Sequence, residues 1–297
     1  MTKSKILFIT LSNIGDALLT TPTMEYLHKK YPLAKFDVVV DKKSEVVFRN
    51  CPYVESLIIK NKEEGLLGNL RLIKRLREKN YDVAVDLRTD LLLYFIKADK
   101  KLFKSKSNTV HSVEKHFYSL NKNVKKIPDM KIWLNEENRS FARNYFHKKS
   151  SKILSIGLGA HHDFKVWPSI NYAQLAKRLS TDFDYIVLLG DKKDEKYSKI
   201  FIQNFNDNVI NLCGKVNLLE AAYMIKISKL YIGNDSGLGH VAAAVGTSNF
   251  IIFGQGDVLR YRPWGRNSFF YQNEEREIKI IKVETILERL KKINISN

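Results

Sequence analysis

The sequence of 297 residues contains only two cysteines, Cys51 and Cys213, one in each half. Neither a disulfide framework nor a cysteine-based zinc site can be assembled from them, which fits a reducing compartment. Long hydrophobic runs are also missing. The longest, Leu91–Ile96 and Tyr185–Gly190, fall far short of the ~20 residues that a bilayer-spanning helix needs. Low-complexity tracts and short-period repeats are absent, which sets aside linker-like and solenoid architectures. The opening stretch MTKSKILFITLSNIGD has a brief apolar run followed by Asn13 and Asp16, with no small-residue cleavage site. It reads as a first core strand, and a cytoplasmic protein is expected.

Acidic residues are scarce as well. Against 50 Lys plus Arg stand 32 Asp plus Glu, a formal net charge of +18. Residues 1–150 hold 30 basic and 17 acidic side chains, and residues 151–297 hold 20 and 15. Within 97–131 alone, ten lysines face three acids. Such an excess suits nucleic acid, an anionic membrane surface or a phosphorylated substrate. The plain alternative is a lysine-rich composition with no partner behind it.

What is present is a repeating alternation. Apolar β-rich runs at Lys5–Thr10, Phe36–Asp41, Ser56–Ile59 and Val83–Leu87 enclose helical patterns at Ala17–Lys30 and Leu66–Lys79. The scheme recurs at Ile153–Leu158, Tyr185–Gly190, Val209–Leu212, Leu230–Gly233 and Asn249–Phe253, with helical patterns at Tyr172–Leu179, Leu218–Ile227 and Leu238–Val245. Near-continuous apolar strands alternating with helices predict parallel sheets covered on both faces. Two such sets predict two α/β domains, 1–150 and 151–297, divided near the polar stretch His147–Lys152. Val283–Ile293 has apolar residues at helical spacing and predicts a C-terminal amphipathic helix, which could pack back on the N-terminal domain.

Ligands of parallel sheets bind outside the carboxyl ends of the strands, so the loops there carry the candidate chemistry. After the first strand comes Leu11-Ser12-Asn13-Ile14-Gly15-Asp16, running into a helix. Asp16 either caps that helix or, kept ionised by the helix dipole, serves as a general base. After the first strand of the second half, Gly157-Leu158-Gly159-Ala160-His161-His162 leads to Lys165 and Pro168. This is a weak dinucleotide fingerprint without its third glycine, and Lys165 is either a phosphate ligand or a surface lysine. His161 and His162 have no acid at metal-site spacing, so no zinc site is expected. The sharpest signal is Asn234-Asp235-Ser236-Gly237-Leu238-Gly239-His240, where a strand ends and a helix begins. Gly237 and Gly239 in the first helical turn predict a phosphate lying against bare backbone. Phe253-Gly254-Gln255-Gly256-Asp257 and the later Arg262-Pro263-Trp264-Gly265 are expected to border the same cleft.

Together these residues resemble glycosyltransferase family 9, the bacterial lipopolysaccharide heptosyltransferases, over nearly the whole chain. The stretch ILFITLSNIGDALLTTPTMEYLHKKYP matches the family's strand–SxxGDxxxTxP–helix opening. DLR at 86–88, HSVEK at 111–115, FKVWP at 164–168, NDSGLGHVAAAVGTSNFIIFG at 234–254 and the RPWG corner follow in order. The resemblance implies a GT-B fold: two facing Rossmann-like domains with parallel sheets and a central cleft, the acceptor held by the N-terminal domain and the donor by the C-terminal one. It implies inverting transfer of heptose from ADP-L-glycero-D-manno-heptose onto Kdo or heptose of the inner core, with no obligatory cofactor and no required metal.

By the same resemblance Asp16 is the catalytic base and Lys165 stabilises the departing diphosphate. Gly159, Ala160, Asp235, Ser236, Gly237 and His240 belong with the donor; Ser12, Asn13, Gly15, Arg88 and His111 belong with the acceptor. Asp191, Asp194 and Glu195 are alternatives for a ribose-binding acid. A phosphorylated glycolipid acceptor, of the lipid A–Kdo type, would also account for the basic excess through contact with the cytoplasmic face of an anionic inner membrane, the segment 97–131 foremost, and would leave nucleic acid no part. The chain departs from the family pattern at Thr89-Asp90 and at Thr247-Ser248-Asn249, which lacks a proline. Other readings of the same features are a GT-B enzyme using another nucleotide sugar, an NAD-binding protein built on Gly157–Gly159, and a basic nucleic-acid-binding protein.

Overall fold

The computed structural model describes residues 4–61, 63–88, 91–106, 111–120, 123, 126–146 and 151–293. The chain divides into two compact units, Met1–Trp133 and Leu134–Asn297.

The first unit carries strands β1 (Lys5–Ile9), β2 (Lys35–Val40), β3 (Val54–Ile59), β4 (Tyr81–Asp86) and β5 (Ala98–Phe103). They form one sheet in the order β3-β2-β1-β4-β5, with every neighbouring pair parallel. Helices α1 (Ile14–Leu18), α2 (Thr21–Lys30), α3 (Glu45–Phe48), α4 (Gly65–Arg77) and α5 (Ser112–Phe117) connect or cover the strands. The single helix expected over 17–30 is two. Pro22 lies near the start of α2, where its missing N–H is harmless but continuation from α1 is not. Thr20 sits at the break, its hydroxyl 2.8 Å from that of Thr10 and 2.6 Å from the Ala17 carbonyl oxygen.

The second unit begins with α6 (Glu136–Arg143), which packs against α9 (Leu218–Ile227) and therefore belongs here although it precedes the 147–152 stretch. Residues 147–150 of that stretch lie outside the described residues. The remaining helices are α7 (Ser169–Leu179), α8 (Glu195–Asn204), α10 (Gly237–Ala244), α11 (Val258–Tyr261) and α12 (Val283–Lys291). The strands are β6 (Ile153–Gly157), β7 (Tyr185–Leu189), β8 (Val209–Asn211), β9 (Leu230–Asn234), β10 (Asn249–Phe253) and β11 (Ser268–Gln272). Their order is β11-β10-β9-β6-β7-β8, again parallel throughout. The C-terminal helix α12 buries Val283, Ile286 and Leu290 in this unit's own core together with Trp167 and Tyr172.

Both units are thus Rossmann-like parallel sheets, as expected. In each, the order of strands reverses direction beside the first strand, at β1/β4 and at β6/β9. Such a reversal splays the adjoining loops apart and leaves a crevice at the carboxyl edge. Cys51 and Cys213 are free and buried, one in each unit, and burial pushes their thiols up to about 11 and about 12. Among the described residues no helix is long and apolar enough to cross a membrane.

Candidate functional site

In the second unit, β6 and β9 run side by side with Gly157 paired to Gly233, so the loops leaving them meet at the carboxyl edge. The last residue of β9 is Asn234, fully buried. Its Oδ1 accepts hydrogen bonds from the Trp167 backbone N–H and the Tyr172 hydroxyl, both at 2.9 Å. Its Nδ2 donates to the Leu158 carbonyl at 2.9 Å. One amide thereby fixes the loop after β6, the turn before α7 and the end of β9 to one another. Trp167 is anchored further by its indole N–H, which donates to the Ile281 carbonyl at 2.9 Å.

That anchorage positions Lys165, in the single helical turn Asp163–Lys165 just upstream. Its Nζ lies 2.6 Å from Asp235 Oδ2, with the two side chains 25% and 10% exposed. Ser236 holds the N-cap position of α10, and its side chain makes no capping bond. The first-turn amides at Gly237 and beyond, with the helix dipole behind them, give this edge a partial positive charge suited to an anion. His240 is buried one turn into α10. Lys165, Asp235, Ser236 and Gly237 are therefore brought together, with His240 one helical turn further along α10.

The glycines have a more local explanation. A Cβ on Gly159 would stand 2.0 Å from Asp194 Oδ2, and one on Gly157 would stand 2.0 Å from the Tyr231 hydroxyl. The room left by this pair is thus taken by the chain's own side chains, which removes the premise of a dinucleotide fingerprint. Gly239, expected to expose backbone to a ligand, instead faces the sheet: a Cβ there would meet Ile251 Cδ1 at 2.9 Å. Its work is close packing of α10 on β10, and the anion site falls to the amides ahead of it. Ala160 is buried beside Gly159 in the same loop.

The three acids after β7 also separate. Asp191 is exposed, 3.6 Å from Lys193. Glu195 packs against Gly214, whose φ of +70° needs no side chain. Asp194 is buried, accepts from the Asp191 N–H at 2.9 Å, and lies against Gly159 and Gly190. Burial pushes its carboxyl up to about 6. Of the three, Asp194 is the one set against Gly159.

In the first unit the corresponding edge gathers Ser12, Asn13, Gly15, Asp16 and Arg88 where β1 and β4 end. Asp16 lies in the first turn of α1, and Asn13 Nδ2 donates to its Oδ2 at 3.0 Å. The carboxylate is half-buried and steered by a neighbouring side chain. Arg88 Nη2 donates to Asp41 Oδ1 at 2.7 Å and to the Ser12 hydroxyl. Its own backbone N–H bonds Asp86 Oδ1 at 2.7 Å, which turns the chain sharply after β4. His111 is placed differently from the rest. It is buried at the N-cap of α5, Nδ1 accepting from the Val113 N–H at 3.2 Å while Glu114 receives the His111 N–H. It is a helix cap, engaged in the fold. Thr89 and Asp90 lie outside the described residues.

Two positions that organise these edges have roles the sequence does not spell out. Asp41 ends the β2 region and carries the partner of Arg88, but nothing local marks an acid that will pair 47 residues later. Asn234 did leave a signal. Asn is disfavoured in strands, and here it closes an apolar run immediately before a helix-start motif.

Comparison with known proteins gives one answer. The sequence profile of glycosyltransferase family 9 (heptosyltransferase) matches residues 92–291. Lipopolysaccharide heptosyltransferase 3 of Escherichia coli K12 is 26% identical over 286 residues, covering 85% of this chain and 83% of that protein. Lipooligosaccharide heptosyltransferase 2 of Haemophilus influenzae is 29% identical over 287 residues, covering 84% and 83%. Among solved structures, the E. coli ADP-heptose LPS heptosyltransferase II superposes with a TM-score of 0.80 at 23% identity, covering 97% of each chain. A family 9 glycosyltransferase of Veillonella parvula superposes at 0.85 with 19% identity, covering 97% of this chain and 96% of that one. With two Rossmann-like sheets, the motif residues gathered at their carboxyl edges and the profile spanning most of its length, the chain belongs to glycosyltransferase family 9, the heptosyltransferases.

Proposed function

We propose that this glycosyltransferase moves heptose from ADP-heptose onto a sugar of the lipopolysaccharide or lipooligosaccharide inner core, with inversion at the anomeric carbon. The observation that carries the donor assignment is the Lys165 ammonium, held by Asp235 at 2.6 Å beside the amino end of α10. A cation and a helix start placed together are complementary to a diphosphate. ADP-heptose is the donor named for an E. coli heptosyltransferase of like fold, and another was solved with ADP-2-deoxy-2-fluoro heptose.

In the reaction the acceptor hydroxyl oxygen attacks the anomeric carbon from the face opposite ADP. The bond from that carbon to the β-phosphate oxygen breaks, and its electron pair leaves with ADP. Lys165 and the α10 amides oppose the charge that grows on the leaving oxygens. The hydroxyl proton passes to Asp16, whose carboxylate Asn13 orients. Asp194 is the acid we assign to the donor side, and Arg88 with Ser12 to the acceptor side. The acceptor is a phosphorylated glycolipid, and the enzyme works at the cytoplasmic face of the inner membrane.

Incubation of the full chain with ADP-heptose and a Kdo-terminated core acceptor, read by mass spectrometry, tests the whole reading. The expected result is one added heptose and stoichiometric ADP. Transfer from a UDP- or GDP-sugar with none from ADP-heptose would overturn it.

A further inference from the structure

Among the described residues of the first unit, the most exposed large apolar side chains fall mainly in two stretches, with Leu33, Ile59 and Phe103 lying outside them. On α4, Leu66, Leu67 and Leu70 are 82%, 66% and 61% exposed, while Leu72 and Leu76 on the opposite side enter the core. Positions 66, 67 and 70 are neighbours at helical spacing, and Arg71, Lys74, Arg75 and Arg77 continue the exposed arc toward the helix end. Between 60 and 79, seven basic residues face three acids, one of which, Glu64, is paired with Arg71 at 3.2 Å. The turn after β4 repeats the theme. Leu91, Tyr94 and Phe95 are 67%, 64% and 57% exposed, with Lys97, Lys100 and Lys101 exposed just beyond. Leu91 is also held at φ 58°, a left-handed conformation that a leucine rarely adopts.

The topology starts both groups from one edge. Strands β3 and β4 are parallel to β1, so the chain departs for α4 and for the 91–95 turn at the edge where Ser12 to Asp16 lie, and after the turn it begins β5 at the opposite edge with Ala98 beside Tyr81. Leu72 and Leu76 of α4 share a core cluster with Leu92 and Leu93 of the turn, so the two pieces pack together beneath their exposed faces. Exposed leucines and aromatics rimmed by cations match a surface with an apolar interior and anionic headgroups. A second copy of the chain fits poorly, because self-association would set like charges against one another.

We propose that the start of α4 and the 91–95 turn form a membrane-docking edge. Leu66, Leu67, Leu70, Leu91, Tyr94 and Phe95 enter the headgroup–acyl boundary of an anionic bilayer, and the α4 cations meet its phosphates. This rests on the reading that the acceptor is lipid-linked, and it sets the Asp16 edge of the unit against the surface in which such an acceptor is anchored.

Co-sedimentation of the full chain with phosphatidylglycerol–phosphatidylethanolamine vesicles, against pure phosphatidylcholine vesicles, tests it directly. The native chain should bind the anionic vesicles selectively. The variant Leu66→Ser/Leu67→Ser/Leu70→Ser should bind them about tenfold more weakly or worse, with an unchanged melting temperature. Tyr94→Ser/Phe95→Ser should weaken binding in the same direction. Turnover on a water-soluble, delipidated acceptor should not change in either variant, whereas turnover on vesicle-embedded acceptor should fall. Absence of selective binding by the native chain would overturn the proposal, as would full binding by both variants. A native dimer in analytical ultracentrifugation that the triple variant dissolves would overturn it too. Transfer assays on the soluble acceptor report on the catalytic reading separately, so either idea can fail alone.

Discussion

The two switch-point edges are built in opposite styles. In the second unit the edge is organised from below by a buried amide, Asn234, which makes good bonds to three separate segments, and its charges are already paired as Lys165 and Asp235. In the first unit the edge is organised from within the loops, by Asn13 on Asp16 and by Arg88 on Asp41 and Ser12. Its periphery, moreover, is open, cationic and apolar. A nucleotide diphosphate is a small rigid anion and rewards a preset frame, because each bond made in advance need not be ordered on binding. The membrane-held glycolipid acceptor proposed above would reward breadth and charge instead. The difference teaches that stability and catalysis should respond separately on the two sides.

The sharpest break is Asp16→Asn. On the proposed role of Asp16 as general base, its removal should lower kcat by about 10²- to 10⁴-fold while ADP affinity, by calorimetry, stays within a factor of two or so. A loss of ADP binding as large as the loss of turnover would count against the division of labour. Lys165→Ala should lower kcat by about 10²- to 10³-fold and also weaken ADP binding, because the cation serves ground state and transition state alike.

Asn234→Ala tests the buried frame. It would leave the Trp167 N–H, the Tyr172 hydroxyl and the Leu158 carbonyl without their partner, at a cost of at least about 3 kcal/mol. The melting temperature of the second unit's transition should drop by roughly 6–12 °C. Ser12→Ala in the first unit should shift melting by less than about 3 °C. Equal losses in the two variants would erase the contrast.

The smallest effect concerns pH. Because burial raises the Asp194 carboxyl from 3.8 to about 6, its neutral form favours the folded state. That contribution is complete below about 3.8 and is lost as pH rises through about 6. Asp194→Asn should therefore be more stable than the native chain at pH 8, by no more than about 3 kcal/mol, with the difference shrinking at pH 4.5. Calorimetric scans at the two pH values check it; a difference that grows on acidification would refute the assignment.

Much of this architecture could be read from the chain itself, and the exceptions have physical reasons. Apolar runs such as Ile6–Ile9 and Ile186–Leu189 are buried on both faces, so their strands announce themselves. β5 and β11 are edge strands with a single neighbour, and Ala98–Phe103 carries Lys100 and Lys101 where a central strand would carry valine. Their pattern is weak because an edge needs little burial and gains from charge. Helix α8 has no clear sequence pattern because its opening, Glu195-Lys196-Tyr197-Ser198-Lys199, is polar. Asp16, Lys165 and the 235–237 turn stood out through local motifs, whereas Asn234 and the Arg88–Asp41 pair depend on segments that meet only after folding. His111 shows the converse: it lies within a family motif, yet its bonds are those of a helix cap.

Trp167 carries a practical consequence. It is fully buried, stands edge-on to Tyr172 with ring centroids 4.8 Å apart, and lies two residues from Lys165 on the same anchored turn. An indole shielded from water emits at short wavelength, and its quantum yield responds to small changes in its immediate neighbours. The edge proposed to hold the donor therefore contains its own fluorophore. Titration with ADP should be visible as a change in native emission that Trp167→Phe reduces, with Trp133 of the first unit left as an internal reference.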